Sequence, residues 1–219
     1  IYDVAQKYYE ALQESAETCI YNGKEIVTLD TELKERMGEQ RFLVDDEKNI
    51  GYTMKVERNK DGEIKESQLL SFKTGKKADG KCSVVAEDVD VMMGAKDGDI
   101  YYLTDMDEGM GDLYCNEELI DSDVMIGTLE FTKEQKYPIY KTDYNTSKNL
   151  FTLKMFDGKN AKVIADDAFD YKVVDEKKIA VLVDYDDDDS TGTLKLYRGK
   201  DKLIELDDDV ICLFGGMYN

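Results

Sequence analysis

Histidine and tryptophan are absent from the 219 residues; proline occurs once, cysteine four times. Without imidazole the chain cannot run Ser-His-Asp or Cys-His catalysis, nor build a zinc site that needs a histidine ligand. Cations are scarce too: 29 Lys and Arg stand against 49 Asp and Glu, a formal net charge of −20. That field repels phosphate backbones and anionic membrane faces, so nucleic acid is not an expected partner. No run approaches the ~20 apolar residues that cross a bilayer, so no direct membrane insertion is expected. With Pro138 alone and no Gly/Ser-rich linker, no domain boundary is visible, and residues 1–219 are expected to form a single domain. The first residue is Ile1 rather than Met, the expectation for a processed or partial chain.

What is present is a repeat. The same hairpin cue returns at Asn22-Gly23, Thr74-Gly75, Asn116-Glu117, Asp157-Gly158 and Arg198-Gly199, the last three 41 residues apart. Tyr21, Cys115, Phe156 and Tyr197 then occupy one position, just before the turn. Upstream lie Asp99–Asp105, Pro138–Asp143 and Lys178–Asp184, short β-rich runs each ended by an aspartate. A unit of this length with four strands matches a propeller blade. In the best-defined unit, strand A is Val89–Ala95, B is Asp99–Asp105, C is Gly111–Asn116 and D lies near Glu118–Asp121.

The fold expected is therefore all-β, a five-bladed β-propeller of four-stranded antiparallel blades. The blades fall at 1–33 plus 210–215, 40–86, 89–121, 124–165 and 168–206. Ile1–Val4 reads as a strand B and Val210–Phe214 as a strand A, so pairing the two would close the ring and remove exposed edges. Residues 5–18, rich in helix formers, are expected to form a helical insertion, and Lys34–Gln40 adds a few residues before Arg41–Val44, the expected strand A of the second blade.

Ile139-Tyr-Lys-Thr-Asp143 and Ile100-Tyr-Tyr-Leu-Thr-Asp105 resemble the Tyr-Trp-Thr-Asp strand of low-density-lipoprotein-receptor-type (YWTD) β-propellers, and more closely the uncharacterised bacterial surface propellers related to them. The resemblance covers most of the chain. It departs at the motif's tryptophan, and in blade count, since the receptor-type domains have six. It implies a binding scaffold at a bacterial cell surface or outside the cell, although fold alone does not fix function.

In such a fold the D to A and B to C connections share one face. That face gathers Glu32, Asp88, Asp123, Asp167 and Asp209, with Asp105, Asp107, Asp143, Asp184 and the run Asp186–Asp189. The opposite face gathers Lys24, Lys76, Lys77, Lys81, Lys159, Lys162, Arg198, Lys200 and Lys202. The ring Glu32, Asp88, Asp123, Asp167 and Asp209 is the candidate ligand-binding set, suited to a basic protein or peptide, or to a cation. Alternate carboxylates at Asp184, Asp186 and Asp188 are candidate ligands for Ca²⁺, but Asp189 and Lys195 stand where an EF-hand needs Gly and Glu. Aspartate also serves turns through its own backbone hydrogen bonds, which alone would produce an acidic face.

Cys19, Cys82, Cys115 and Cys212 lie on different strands without CxxC spacing, and free, buried thiols are expected. Tyr101, Tyr102, Tyr140 and Tyr197 read as core. Asn145-Thr-Ser147 is a glycosylation sequon of a kind that arises by chance. Two functions compete. The first is a non-catalytic binding module, expected to be monomeric. The second is a five-bladed propeller glycoside hydrolase or lyase using Asp88, Asp90, Asp123 or Asp209, which would need two carboxyls about 5–9 Å apart across a pocket.

Overall fold

The computed structural model describes residues 18–30, 42–175, 177–199 and 203–213. Among them every regular element is a strand except one 3₁₀ turn at Gly75–Lys77, and no helix is long and apolar enough to cross a membrane. The chain groups into two compact units, Ile1–Asp105 with Cys115–Glu117, and Met106–Tyr114 with Glu118–Asn219.

Four antiparallel sheets account for the strands. β1 (Cys19–Tyr21) pairs with β2 (Ile26–Thr28). β3 (Phe42–Asp45), β4 (Ile50–Arg58), β5 (Ile64–Lys73) and β6 (Cys82–Glu87) form a second sheet in chain order. β7 (Val89–Gly94), β8 (Ile100–Asp107), β9 (Met110–Cys115) and β10 (Glu118–Met125) form a third. The fourth has seven strands, also in chain order: β11 (Glu130–Phe131), β12 (Pro138–Asn145), β13 (Leu150–Phe156), β14 (Ala161–Asp175), β15 (Lys178–Asp186), β16 (Thr191–Tyr197) and β17 (Ile204–Val210).

All five hairpin cues fall between paired strands, at β1/β2, β5/β6, β9/β10, β13/β14 and β16/β17. Their chemistry repeats. Asn22 Oδ1 accepts the backbone N–H of Lys24 and Glu25 at 3.0 and 2.9 Å. Asp157 Oδ1 accepts those of Lys159 and Asn160 at 3.0 and 2.9 Å. In each the following glycine, Gly23 or Gly158, takes φ near +90°, a region open to glycine at no steric cost.

The five-bladed ring is not what the sheets show. Where strand D of one unit was expected to stop and strand A of the next to start afresh, the chain continues as one strand. β14 pairs with β13 through its first half and with β15 through its second, so the units expected at 124–165 and 168–206 merge into the seven-stranded sheet. β17 likewise runs through Asp209 to Val210 while still paired with β16. Val210 is therefore the last residue of β17 rather than the first of a separate closing strand: Ile211–Leu213 have left the sheet, Phe214 lies outside the described residues, and β17 has no other partner among those described. Ile1–Val4, the helical insertion at 5–18 and the segment Lys34–Gln40 lie outside the described residues, apart from Thr18.

Strands covered on both faces lose the alternation of a one-sided sheet, and Ile100–Thr104 of β8 is buried throughout. Tyr101, Tyr102, Tyr140 and Tyr197 are core residues, none more than 5% exposed. In the second unit the core joins Ile139, Phe151, Leu153 and Met155 to Ile164, Ala165, Ala168, Ile179, Val181, Val183 and Tyr197.

One polar network crosses this unit. The fully buried Tyr140 on β12 donates its hydroxyl to Asp121 Oδ2 on β10 at 3.0 Å, and Lys154 on β13 donates to the same carboxylate at 3.0 and 3.2 Å. Burial, then the Asp121 charge, drives the Tyr140 pKa up. Removing Asp121 would strand a half-buried ammonium and a buried hydroxyl. Asp121→Ala is expected to cost about 2–3 kcal/mol and Tyr140→Phe about 1 kcal/mol in urea unfolding. The Asp157 hairpin supplies a pH test. Lys162 Nζ stands 2.7 Å from Asp157 Oδ2, and this bond with the turn N–H groups lowers the carboxyl pKa from 3.8 to about 2. A lowered folded-state pKa stabilises fully above the unfolded value, and that contribution disappears as pH falls from about 4 to about 2. Thermal melts of Asp157→Asn should therefore show a shallower fall in Tm across that window than the parent.

Candidate functional site

The aspartates singled out by the repeat share a backbone state. Asp88, Asp123, Asp167 and Asp209 have φ of 52°, 56°, 48° and 55°, and Asp105, Asp143 and Asp184 have 53°, 51° and 52°. Left-handed backbone costs most L-residues roughly 1–2 kcal/mol, and Asp and Asn tolerate it best among residues with a side chain. Each position in the seven-stranded sheet is a bulge, two residues opposing one. Asp143 and Tyr144 face Phe151, since Thr142 pairs with Thr152 and Asn145 with Leu150. Asp166 and Asp167 face Thr152, Asp184 and Tyr185 face Gly192, and Asp208 and Asp209 face Thr193.

Register brings four of them together. Asp143 faces Phe151; Phe151 pairs with Ala168, next to Asp167; Ala168 pairs with Val183, next to Asp184; Gly192, opposite Asp184, pairs with Val210, next to Asp209. Asp143, Asp167, Asp184 and Asp209 thus form one row across six strands, roughly 24 Å at about 4.8 Å per strand. All four are exposed. Gly192 makes the row feasible: a Cβ there would sit 2.8 Å from the Val183 carbonyl oxygen and 3.2 Å from the Tyr185 Cα.

Asp123 belongs to the same unit but lies on β10, outside the paired row, and is exposed. Asp88 belongs to the first unit. Glu32 lies outside the described residues. The sequence reading missed an aromatic pair beside the row: Phe169 and Tyr185 stack face to face, with ring centroids 3.7 Å apart and planes within 2°, both half-buried. The sequence signals only half of it: Tyr185, like Tyr144, directly follows a repeat aspartate.

Several carboxylates have local partners. The buried hydroxyls of Thr104 and Thr142 donate to Asp105 and Asp143 at 2.8 Å each, so the Thr-Asp pair of the repeat is a self-contained bulge lock. Lys195 donates to Asp184 Oδ2 at 2.9 Å, and Asp186 Oδ1 accepts the Asp188 N–H at 2.8 Å. Asp184, Asp186 and Asp188 are exposed, and among the described residues no group of three or more acidic or cysteine side chains is arranged to hold a metal ion. Of the hydrolase candidates, Asp90 has its pKa raised, by burial and then by the Asp88 charge. Near the row, Lys141 Nζ lies 3.8 Å from the Phe151 ring centroid and 5.4 Å from that of Tyr171, and burial lowers its pKa against the pull of Asp170 and Glu130. The four cysteines are thiols rather than disulfides, but only Cys115 is buried; Cys19 is exposed, and Cys82 and Cys212 are intermediate. Cys19 and Cys82 lie on β1 and β6, each strand paired on one side only.

No protein-family model and no curated protein matches the chain. Among solved structures it is similar to the β-propeller domain of the Trilobed protease from Pyrococcus furiosus, with 9% identity over 83% of this chain and 59% of that one, TM-score 0.46. It is also similar to a eukaryotic initiation factor, with 9% identity over 90% and 50%, TM-score 0.45. A puromycin hydrolase mutant complexed with PGG gives 10% identity over 81% and 30%, TM-score 0.44. The chain thus matches less than two thirds of each of these proteins.

Backbone and charge at the row can be separated by substitution. Asp167→Asn and Asp167→Gly keep residues that accept left-handed backbone and should hold unfolding free energy within about 0.5 kcal/mol of the parent. Asp167→Val should cost about 2 kcal/mol or more. Equal losses for Gly and Val in urea unfolding would mean the carboxylate, not φ, holds the bulge.

Proposed function

We propose that the chain is a propeller-type, non-catalytic binding module whose acidic row takes an extended basic peptide or protein segment. The observation that carries this reading is the register that aligns Asp143, Asp167, Asp184 and Asp209 across one sheet, with the stacked Phe169–Tyr185 pair beside them. A row of roughly 24 Å matches about seven residues of extended peptide at ~3.3 Å each. Exposed ion pairs contribute only about 0.2–1 kcal/mol apiece, so the charges act mainly by steering and selecting. The aromatic pair offers a flat face on which an arginine can lie.

A peptide suits this row better than a bound Ca²⁺. Calcium needs six to eight oxygens converging at 2.3–2.6 Å; here Asp143 stands two strands, roughly 10 Å, from Asp167, and Asp209 as far from Asp184, while Asp184, on the strand next to Asp167, is already paired with Lys195. The hydrolase reading has one supporting observation, the raised pKa of Asp90, and it would need a second carboxyl about 5–9 Å away across a pocket.

The test is fluorescence anisotropy with a labelled arginine-rich heptapeptide. Binding should weaken steeply with added salt. It should fall at least about tenfold in a triple variant carrying Asp143→Asn, Asp167→Asn and Asp209→Asn, which leaves the bulge backbone intact. Salt-independent or undiminished binding by that variant would refute the proposal.

A further inference from the structure

Strand direction puts a second charged feature in the same unit, far from the acidic row. β15 runs from Lys178 to Asp186 and β16 returns from Thr191 to Tyr197, so the β14–β15 turn and the β16–β17 hairpin sit roughly 20 Å from the row at about 3.3 Å per residue. There an open groove of about 550 Å³ is lined by Lys133, Glu134, Asp175, Lys177, Lys178 and Arg198. Among the described lining residues four cations meet two anions, a local inversion of sign in a chain of net charge −20. Asp175 is spent on Lys178, 2.6 Å away, whereas Lys133, Lys177 and Arg198 form no ion pair with a described residue.

The cations are held by ordered turns. Lys177 N–H donates to Asp175 Oδ1 at 2.9 Å, and the Lys177 stem passes over Gly199, whose missing Cβ would stand 3.5 Å from Lys177 Cβ. That packing sets Lys177 beside Arg198. Lys133 belongs to a loop closed by Thr132 N–H to the Tyr137 carbonyl at 3.0 Å and Tyr137 N–H to Thr132 Oγ1 at 3.2 Å. A turn backbone ordered before the ligand arrives loses no further entropy on binding, so the cost falls on the exposed side-chain ends alone.

We propose that this groove is a binding site for a compact multivalent anion, bearing phosphate or carboxylate groups. Every described lining side chain carries a charge, which favours an ionic ligand over an uncharged one. The volume suits a small molecule. Length matters as well: at physiological salt the screening length is about 8 Å, so a compact anion responds to the groove cations, whereas an extended polyanion would run on into the negative field around them. Arg198 can engage an oxyanion with two parallel N–H bonds while the lysines act as point charges.

The test is calorimetric titration of the full chain with tripolyphosphate and, separately, citrate; the tighter of the two names the anionic group. Lys177→Gln and Arg198→Gln should each weaken binding about tenfold with Tm unchanged, and Lys159→Gln, on a hairpin outside the groove, should leave it intact. Asp175→Asn keeps the oxygen that caps the turn while releasing Lys178, and should tighten binding. The absence of binding by both anions, or equal weakening by Lys159→Gln, would overturn the proposal, as would looser binding in Asp175→Asn. The acidic row is untouched by these variants, so this outcome is independent of the peptide reading.

Discussion

Left-handed backbone at the strand-ending aspartates is the constraint on which the second unit is built. A bulge with φ near +50° adds one residue to its strand and turns the chain without ending the strand. That allows β14 to leave β13 and take up β15 within a single run, fusing eight expected strands into one continuous seven-stranded sheet. The same device sets register, and register aligns Asp143, Asp167, Asp184 and Asp209. Gly192 completes it, because the bulge at Asp184 and Tyr185 presses on a neighbour that must lack a Cβ.

From this geometry follows a division of charge. Antiparallel strands alternate which end of the sheet a connection reaches, so residues a few positions apart in sequence land at opposite ends. Bulges and the Asp186–Asp189 loop occupy one end; the Asp175–Lys178 turn and Arg198 occupy the other. At the second end Lys178 is matched by Asp175 of its own turn. At the acidic end Lys195 is paired with Asp184, while Asp167 and Asp209 make no ion pair with a described residue.

Much of the local structure was legible. Each hairpin cue marks a turn, because each supplies a positive φ, at Gly23, Gly75, Asn116, Gly158 or Gly199, and at Asn22 and Asp157 the side chain also satisfies the backbone. The strand limits at β7, β8 and β9 lie within a residue or two of those read from the repeat, since aspartate marks where pairing breaks. What could not be read was whether an aspartate ends a strand or bends it. Asp105 and Asp167 look alike in sequence, yet a left-handed residue is compatible with a turn or with a bulge, and only pairing on the far side decides. The aromatic stack escaped for a related reason: Phe169 and Tyr185 are sixteen positions apart, and they become neighbours only once Ala168 is paired with Val183.

The identity of the bulge residue separates structure from function. A left-handed position tolerates asparagine as well as aspartate, and the chain does use asparagine at such positions: Asn49, Asn116 and Asn149 have φ of 54–57°. Yet the seven repeat positions 88, 105, 123, 143, 167, 184 and 209 all carry aspartate. The Thr104 and Thr142 hydroxyls would donate equally well to an amide oxygen, so hydrogen bonding does not require the charge either. Like charges gathered in one row repel and lower stability, a cost that asparagine would avoid at no loss of backbone geometry. Folding accounts for a small polar residue at each site; the uniform negative charge is the part it leaves over, and a cationic partner supplies a use for it.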